Sequence, residues 1–132
     1  MKKTSKTTAF WCKAAALAVG VPAAAVLLGL AVYAVVIQGA NGRIVSGGEI
    51  RRYLLHVPPG YDPALPTPLV ISIHGFAEWP AHQAKISHWN QLADEENFIV
   101  VYPAGTGFPK RWRSNGGDDT DAQFIADLID QL

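Results

Sequence analysis

Leu69-Val70-Ile71-Ser72-Ile73-His74-Gly75-Phe76 is the stretch that decides how this chain is read. Leu69 to Ile73 is a short apolar run rich in β-branched side chains, the composition of a strand covered on both faces. It stops at His74-Gly75, where the glycine lets the backbone turn tightly in an exposed position. A strand end of this kind can aim backbone N–H groups at developing negative charge, which is what acyl transfer requires.

The flanking sequence supplies more elements. Glu49–Val57 reads as a strand ended by Pro58-Pro59-Gly60, and Asp62–Pro68, with three prolines, reads as a loop. Pro80 precedes a helix predicted over Ala81–Asn97, with Ile86, Trp89, Leu92 and Ala93 at helical spacing. Phe98–Tyr102 is a further apolar strand stopped by Pro103, and Ala104–Gly117 is a glycine-rich loop. Asp118, Asp119 and Thr120 offer N-caps to a last helix whose apolar face is Phe124, Ile125, Leu128, Ile129 and Leu132. Asp119 and Asp121 suit the positive end of that helix, and capping explains the acidic cluster better than a cation site does. Strands alternating with helices predict an α/β fold built on a parallel sheet with right-handed crossovers.

The N-terminal part differs in composition. The 132 residues have no net charge, yet residues 1–13 hold Lys2, Lys3, Lys6 and Lys13 and no acid. The remainder has seven basic and eleven acidic residues, so no basic stripe points to a nucleic-acid partner. Ala14–Ile37 is uncharged over 24 residues. As a helix it would run roughly 36 Å against a hydrocarbon core of ~30 Å. A transmembrane signal-anchor is therefore expected over residues 14–37, with residues 1–13 cytoplasmic and everything beyond the anchor outside the cell membrane. Cleavage of the segment would instead make the product secreted. Residues 38–48 form a glycine-rich linker, with a first short strand at Arg43–Val45, and residues 49–132 form the outer domain. Cys12, the sole cysteine, allows no internal disulfide.

Four blocks in order carry a family resemblance. They are Arg52-Tyr53-Leu54-Leu55-His56-Val57-Pro58-Pro59-Gly60-Tyr61, Pro68 through Gly75, Phe98-Ile99-Val100-Val101-Tyr102-Pro103-Ala104-Gly105, and Asp121 through Ile129. They resemble the polyhydroxybutyrate depolymerase-like and feruloyl-esterase-like branch of the α/β-hydrolases, N-terminal half only. The resemblance implies a partial hydrolase sheet, an extracytoplasmic serine esterase as the parent activity, and a hydrophobic or aryl-substituted ester as substrate, small or polymeric. It implies no cofactor and no metal. It makes Phe76, with Gly75 and His74, the oxyanion-hole segment, Phe76 giving a backbone N–H and His74 holding the loop by hydrogen bonds. From the strand order itself, Glu78, Trp79 and Trp112 flank the predicted mouth beyond the carboxyl ends of the strands, as pocket walls or as ordinary aromatic packing.

In that family a Gly-x-Ser-x-Gly elbow, an acid and a histidine follow the last helix. None of the serines in this sequence stands in such an elbow. Ser114-Asn115-Gly116-Gly117 imitates its second half, but Trp112 stands where the first glycine belongs. No catalytic nucleophile is therefore assigned, and the chain is expected to be inactive as it stands. Two other readings are a non-catalytic tethered binding module and one half of a split hydrolase. In the split reading the edge after Phe98–Tyr102 would dock the other half. His56, His82 and His88 read as structural or solvated, and the six-residue spacing of His82 and His88 does not suit a shared metal ligand face.

Overall fold

The computed structural model describes residues 23–32, 39–113 and 119–132. The chain divides into two units, Met1–Val35 and Val36–Leu132.

In the first unit, residues 23–32 are helical (α1), with Val26, Leu27, Leu28, Leu30 and Val32 exposed. Among the described residues no helix is long and apolar enough to cross a membrane. The expected transmembrane helix over 14–37 is therefore not seen. The rest of that run, residues 14–22 and 33–37, lies outside the described residues, as does Cys12.

The second unit contains β1 (Gly42–Ser46), β2 (Glu49–His56), β3 (Leu69–Ile71), α2 (Pro80–Ser87), α3 (Trp89–Glu96), β4 (Ile99–Pro103) and α4 (Thr120–Gln131). The strands form one sheet in the order β1-β2-β4-β3. It is mixed, which corrects the expected parallel sheet. β1 and β2 are antiparallel, β2 and β4 are antiparallel, and only β3 and β4 run parallel.

For the β1–β2 pair the reason lies at Gly47-Gly48. Ser46 pairs with Glu49, so these two glycines alone make the turn, with φ of 56° and 79°. Two consecutive positive φ angles are what a two-residue hairpin turn needs, and glycine supplies them without a Cβ clash. What reads as linker is thus the tip of a hairpin. A crossover by helices exists only between β3 and β4.

β4 is the centre of the sheet and all five of its residues are buried. Its side chains alternate between two layers. Val101 packs with Tyr53, Phe124 and Leu128 beneath α4, joined by Leu69, Ile71 and Trp112 at the margin. Val100 and Tyr102 pack with Ala93 on the other face, with Val70, Ala84, Trp89 and Phe98 against them. β3 is paired on one side only, which leaves its three residues half-buried. The open parallel edge therefore belongs to β3, not to the Phe98–Tyr102 strand, which has neighbours on both sides.

The single helix predicted over 81–97 is two. His88 has φ 58° and ends α2, and Trp89 opens α3 in a new direction. Histidine and asparagine are among the non-glycine residues that tolerate this left-handed region, and Asn97 (φ 56°) ends α3 the same way. The break lets Trp89 meet Phe98 edge to face, with ring centres 6.2 Å apart.

Candidate functional site

The site forms where β3 and β4 end, because parallel strands deliver their following loops to the same end of the sheet. Two loops meet there, residues 72–79 after β3 and residues 104–113 after β4.

The first loop turns at once. Glu78 N–H bonds Gly75 O at 3.3 Å, closing a four-residue turn with Phe76 and Ala77 at its centre. Ala77 has φ 61°, the left-handed region that the third position of a type II turn calls for and that glycine fills most easily. An alanine there carries a cost of about 1–2 kcal/mol, held by the surrounding bonds.

Those bonds are specific. Gly75 N–H donates to Glu78 Oε2 at 3.0 Å. Ala77 N–H donates to Lys110 O across the loops at 2.8 Å. Among the described residues, Phe76 N–H has no partner. Of the three consecutive amides in the turn, it is the one available to a ligand, and Phe76 is 71% exposed.

His74 is buried and holds the two loops together. Its Nε2 accepts the Gly105 N–H at 3.0 Å, which places the ring proton on Nδ1, 2.8 Å from Gly75 O. Both ring nitrogens are engaged, so His74 acts as a strut and not as a base. Gly105 is required at this junction. A Cβ there would lie 2.7 Å from Arg111 O and 3.2 Å from the His74 ring.

The second loop is closed by mutual backbone hydrogen bonds between Thr106 and Arg111, each 3.0 Å. Phe108 stands at its tip, 95% exposed. Trp112 returns to the core margin, donates Nε1–H to His74 O at 2.9 Å and lies 5.1 Å from the imidazole, centre to centre. Lys110 is shifted below the ordinary lysine range by burial and by the nearby Arg52 and Arg51 cations.

The expected pocket walls divide. Trp112 is a fastener of the loop. Glu78 caps Gly75, and its other oxygen lies 3.6 Å from His82 Nδ1. Trp79 precedes α2 and packs its ring against His82 at 5.9 Å. Ser114 lies outside the described residues. Among the described residues no group of three or more His, Cys, Asp or Glu is placed to hold a metal ion.

Sequence reasoning missed the support beneath this site. Asp121 is not a cap, for the α4 N-cap, Asp119, makes no side-chain bond. Asp121 is buried and meets Arg51 Nη2 at 2.6 Å, while its Oδ2 accepts the Arg113 N–H. The Arg51 guanidinium lies over the Phe124 ring at 4.1 Å and also donates to Ala104 O at 3.3 Å. This buried ion pair joins β2 to α4 and touches both ends of the second loop. The one sequence signal was Arg51 in the alternation of β2, between the exposed Ile50 and Arg52.

No family model matches the chain. Two curated relatives do. Over 78 residues the chain is 38% identical to a bifunctional acetylxylan esterase/xylanase of Neocallimastix patriciarum, a match covering 59% of this chain and 11% of that protein. Over 87 residues it is 28% identical to a probable feruloyl esterase C of Aspergillus terreus, covering 64% of this chain and 29% of that one. The chain thus spans less than a third of either relative, and what it shares with both is similarity to an esterase.

Proposed function

We propose that the chain carries the oxyanion-stabilising part of an esterase-like serine hydrolase, with the nucleophile supplied from outside these 132 residues. The observation that carries the proposal is the Phe76 N–H, the unpartnered amide of a turn whose neighbours are each tied down. A donor that is fixed before substrate arrives needs no reorganisation when negative charge forms on an acyl oxygen. The similarity to two esterases over this region supports the same reaction class.

In this reading a base that comes with the nucleophile takes the serine hydroxyl proton as the oxygen adds to the ester carbonyl, Phe76 N–H donates a hydrogen bond to the resulting oxyanion, and the C–O bond breaks as the leaving alcohol takes up that proton, giving an acyl-enzyme that water hydrolyses. His74 takes no part in proton transfer because both its nitrogens serve the loops. The second oxyanion donor comes with the nucleophile.

The test compares the 132-residue chain with one extended by the downstream coding sequence, both assayed on p-nitrophenyl acetate and labelled with a fluorophosphonate. Hydrolysis and labelling confined to the extended chain support the proposal. If the extended chain has neither, or the downstream sequence has no Gly-x-Ser-x-Gly, the proposal fails.

A further inference from the structure

We infer that the outer face of the β1–β2 hairpin docks on an anionic lipid surface, with Val45 and Ile50 entering the headgroup layer and Arg43 and Arg52 meeting lipid phosphates. The inference stands apart from the esterase reading and needs neither the Phe76 amide nor a nucleophile.

The register defines the face. Arg43 pairs with Arg52 and Val45 with Ile50, and directly paired residues point to the same side of a sheet. Their neighbours point the other way. Ile44 and Tyr53 pack beneath α4, and Arg51 lies over the Phe124 ring. On the outer side α2 and α3 pack against β4, and Arg43, Val45, Ile50 and Arg52 are all left exposed. Val45 and Ile50 reach 69% and 67% exposure side by side. An apolar patch rimmed by polar groups marks a site of protein or membrane contact.

The rim is cationic. No acid occupies the outward positions of either strand. Glu49 and Asp121 serve the opposite face, where they meet Arg113 and Arg51. Among the described residues Arg43 has no ion pair. Two arginines set directly opposite each other repel and cost stability, a cost that an anionic surface on this face would remove. Burial, then the Arg52 and Arg51 cations, hold Lys110 below the ordinary lysine range, which puts a third positive charge beside Arg52.

The occupant has to satisfy aliphatic and cationic groups together. A soluble polyanion would meet the arginines and leave Val45 and Ile50 in water. Single-stranded nucleic acid stacks its bases on aromatic rings, and this face offers none. A bilayer interface meets both needs, since binding there grows with buried apolar area and with attraction of basic groups to anionic lipid. The tip is bare as well. A Cβ at Gly47 or Gly48 would meet nothing within 4 Å, so nothing there holds Val45 and Ile50 off a flat surface.

The test puts an environment-sensitive fluorophore on the full chain. Cys12→Ser removes the native thiol, and Val45→Cys or Leu65→Cys then carries a nitrobenzoxadiazole label. Leu65 is 63% exposed and lies in the loop that joins the far end of β2 to β3. Each protein is mixed with vesicles of phosphatidylcholine alone or of phosphatidylcholine with phosphatidylglycerol. A blue shift at position 45 that requires phosphatidylglycerol and is quenched by nitroxide-labelled lipid is expected, with position 65 unchanged. Position 65 thereby separates hairpin docking from attachment of the chain through other residues. Added to the Val45→Cys protein, Arg43→Gln should lower the docked-to-free ratio about 5-fold, equivalent to about 1 kcal/mol per arginine at an anionic surface. Ile50→Ser should lower it about 10-fold or more. No shift at position 45, equal shifts at 45 and 65, or indifference to Arg43→Gln overturns the inference. A shift that grows with protein concentration in the absence of vesicles would make the face a contact between two copies. A shift of the same size with soluble polyphosphate would make it a polyanion site. Either result sinks the lipid assignment.

Discussion

Asp121→Asn isolates the buried charge beneath the site. Asparagine has the shape of aspartate and keeps an oxygen to accept the Arg113 N–H. What is lost is the negative charge facing Arg51. Both side chains are nearly sealed from water, at 4% and 7% exposure, so screening does little to soften the change. Arg51 keeps its contacts with Ala104 O and the Phe124 ring, but its charge is left uncompensated. Breaking a buried pair in this way costs about 3–5 kcal/mol. The second unit, Val36–Leu132, is a domain of the size whose whole stability is about 5–15 kcal/mol. The substitution should therefore remove about a fifth of it or more. In urea unfolding followed by tryptophan fluorescence, with a slope of about 1–3 kcal/mol per molar, the midpoint should fall by ~1 M or more. A fall under ~0.3 M with an unchanged slope would refute the view that Arg51 depends on Asp121. A second variant guards against a trivial loss of packing. Arg51→Met combined with Asp121→Leu removes both charges and should recover much of the lost stability.

Other predictions concern the loops and the core. Phe76→Pro removes the N–H while suiting the second position of a type II turn. In an extended, active chain it should lower kcat by about 10²- to 10³-fold on p-nitrophenyl acetate, and Phe76→Ala, which keeps the amide, should leave kcat on that substrate nearly intact. Gly105→Ala places a Cβ against Arg111 O and the His74 strut; a loss of about 1–3 kcal/mol in urea unfolding is expected, with faster hydrogen exchange at position 105 and at Ala77. Tyr102 is held above the ordinary tyrosine pKa of 10.0 chiefly by burial. The folded state thus binds its proton more tightly than the unfolded state, and stability is full below pH ~10 and falls as pH climbs beyond it. Tyr102→Phe should cost about 0.5–1.5 kcal/mol at neutral pH, from the bond its hydroxyl donates to Asn90 Oδ1 at 2.7 Å. It should also flatten that alkaline decline in a denaturant series run from pH 8 to 11.

The apolar runs were legible because each has one period and one fate. Leu69–Ile71 and Ile99–Pro103 are strands where their composition places them, and α4 follows the spacing of Phe124 and Leu128. Sheet direction was not legible. For β1 and β2 it hangs on Gly47 and Gly48, two residues whose composition suits a linker and a tight turn equally, and the antiparallel pairing of β2 with β4 joins strands far apart in the chain. The break at His88 was hidden because no glycine or proline marks it, only a left-handed histidine. In the loop after β3, the His-Gly junction drew attention to Phe76, whose N–H has no partner among the described residues. The partners that hold it, Lys110, Gly105 and Trp112, stand roughly thirty residues further along, and a side chain's engagement with a distant backbone leaves no local pattern. Asp121 was read as a cap because its position in the first turn fits one; the arginine that claims it lies on another strand.

The parallel pairing of β3 with β4 has a consequence for the order of assembly. Leu69 pairs with Ile99, thirty positions away, whereas β1 and β2 are joined by a two-residue turn. A hairpin of that kind closes in about 1–10 μs, while the distant pair must first bear the entropy of closing the loop through α2 and α3. The Ala77–Lys110 and His74–Gly105 bridges span the far end of that slow pair. The turn that leaves the Phe76 amide unpartnered is thus expected to form after the hairpin, and an opening that starts from the unpaired side of β3 should undo that turn while the hairpin persists.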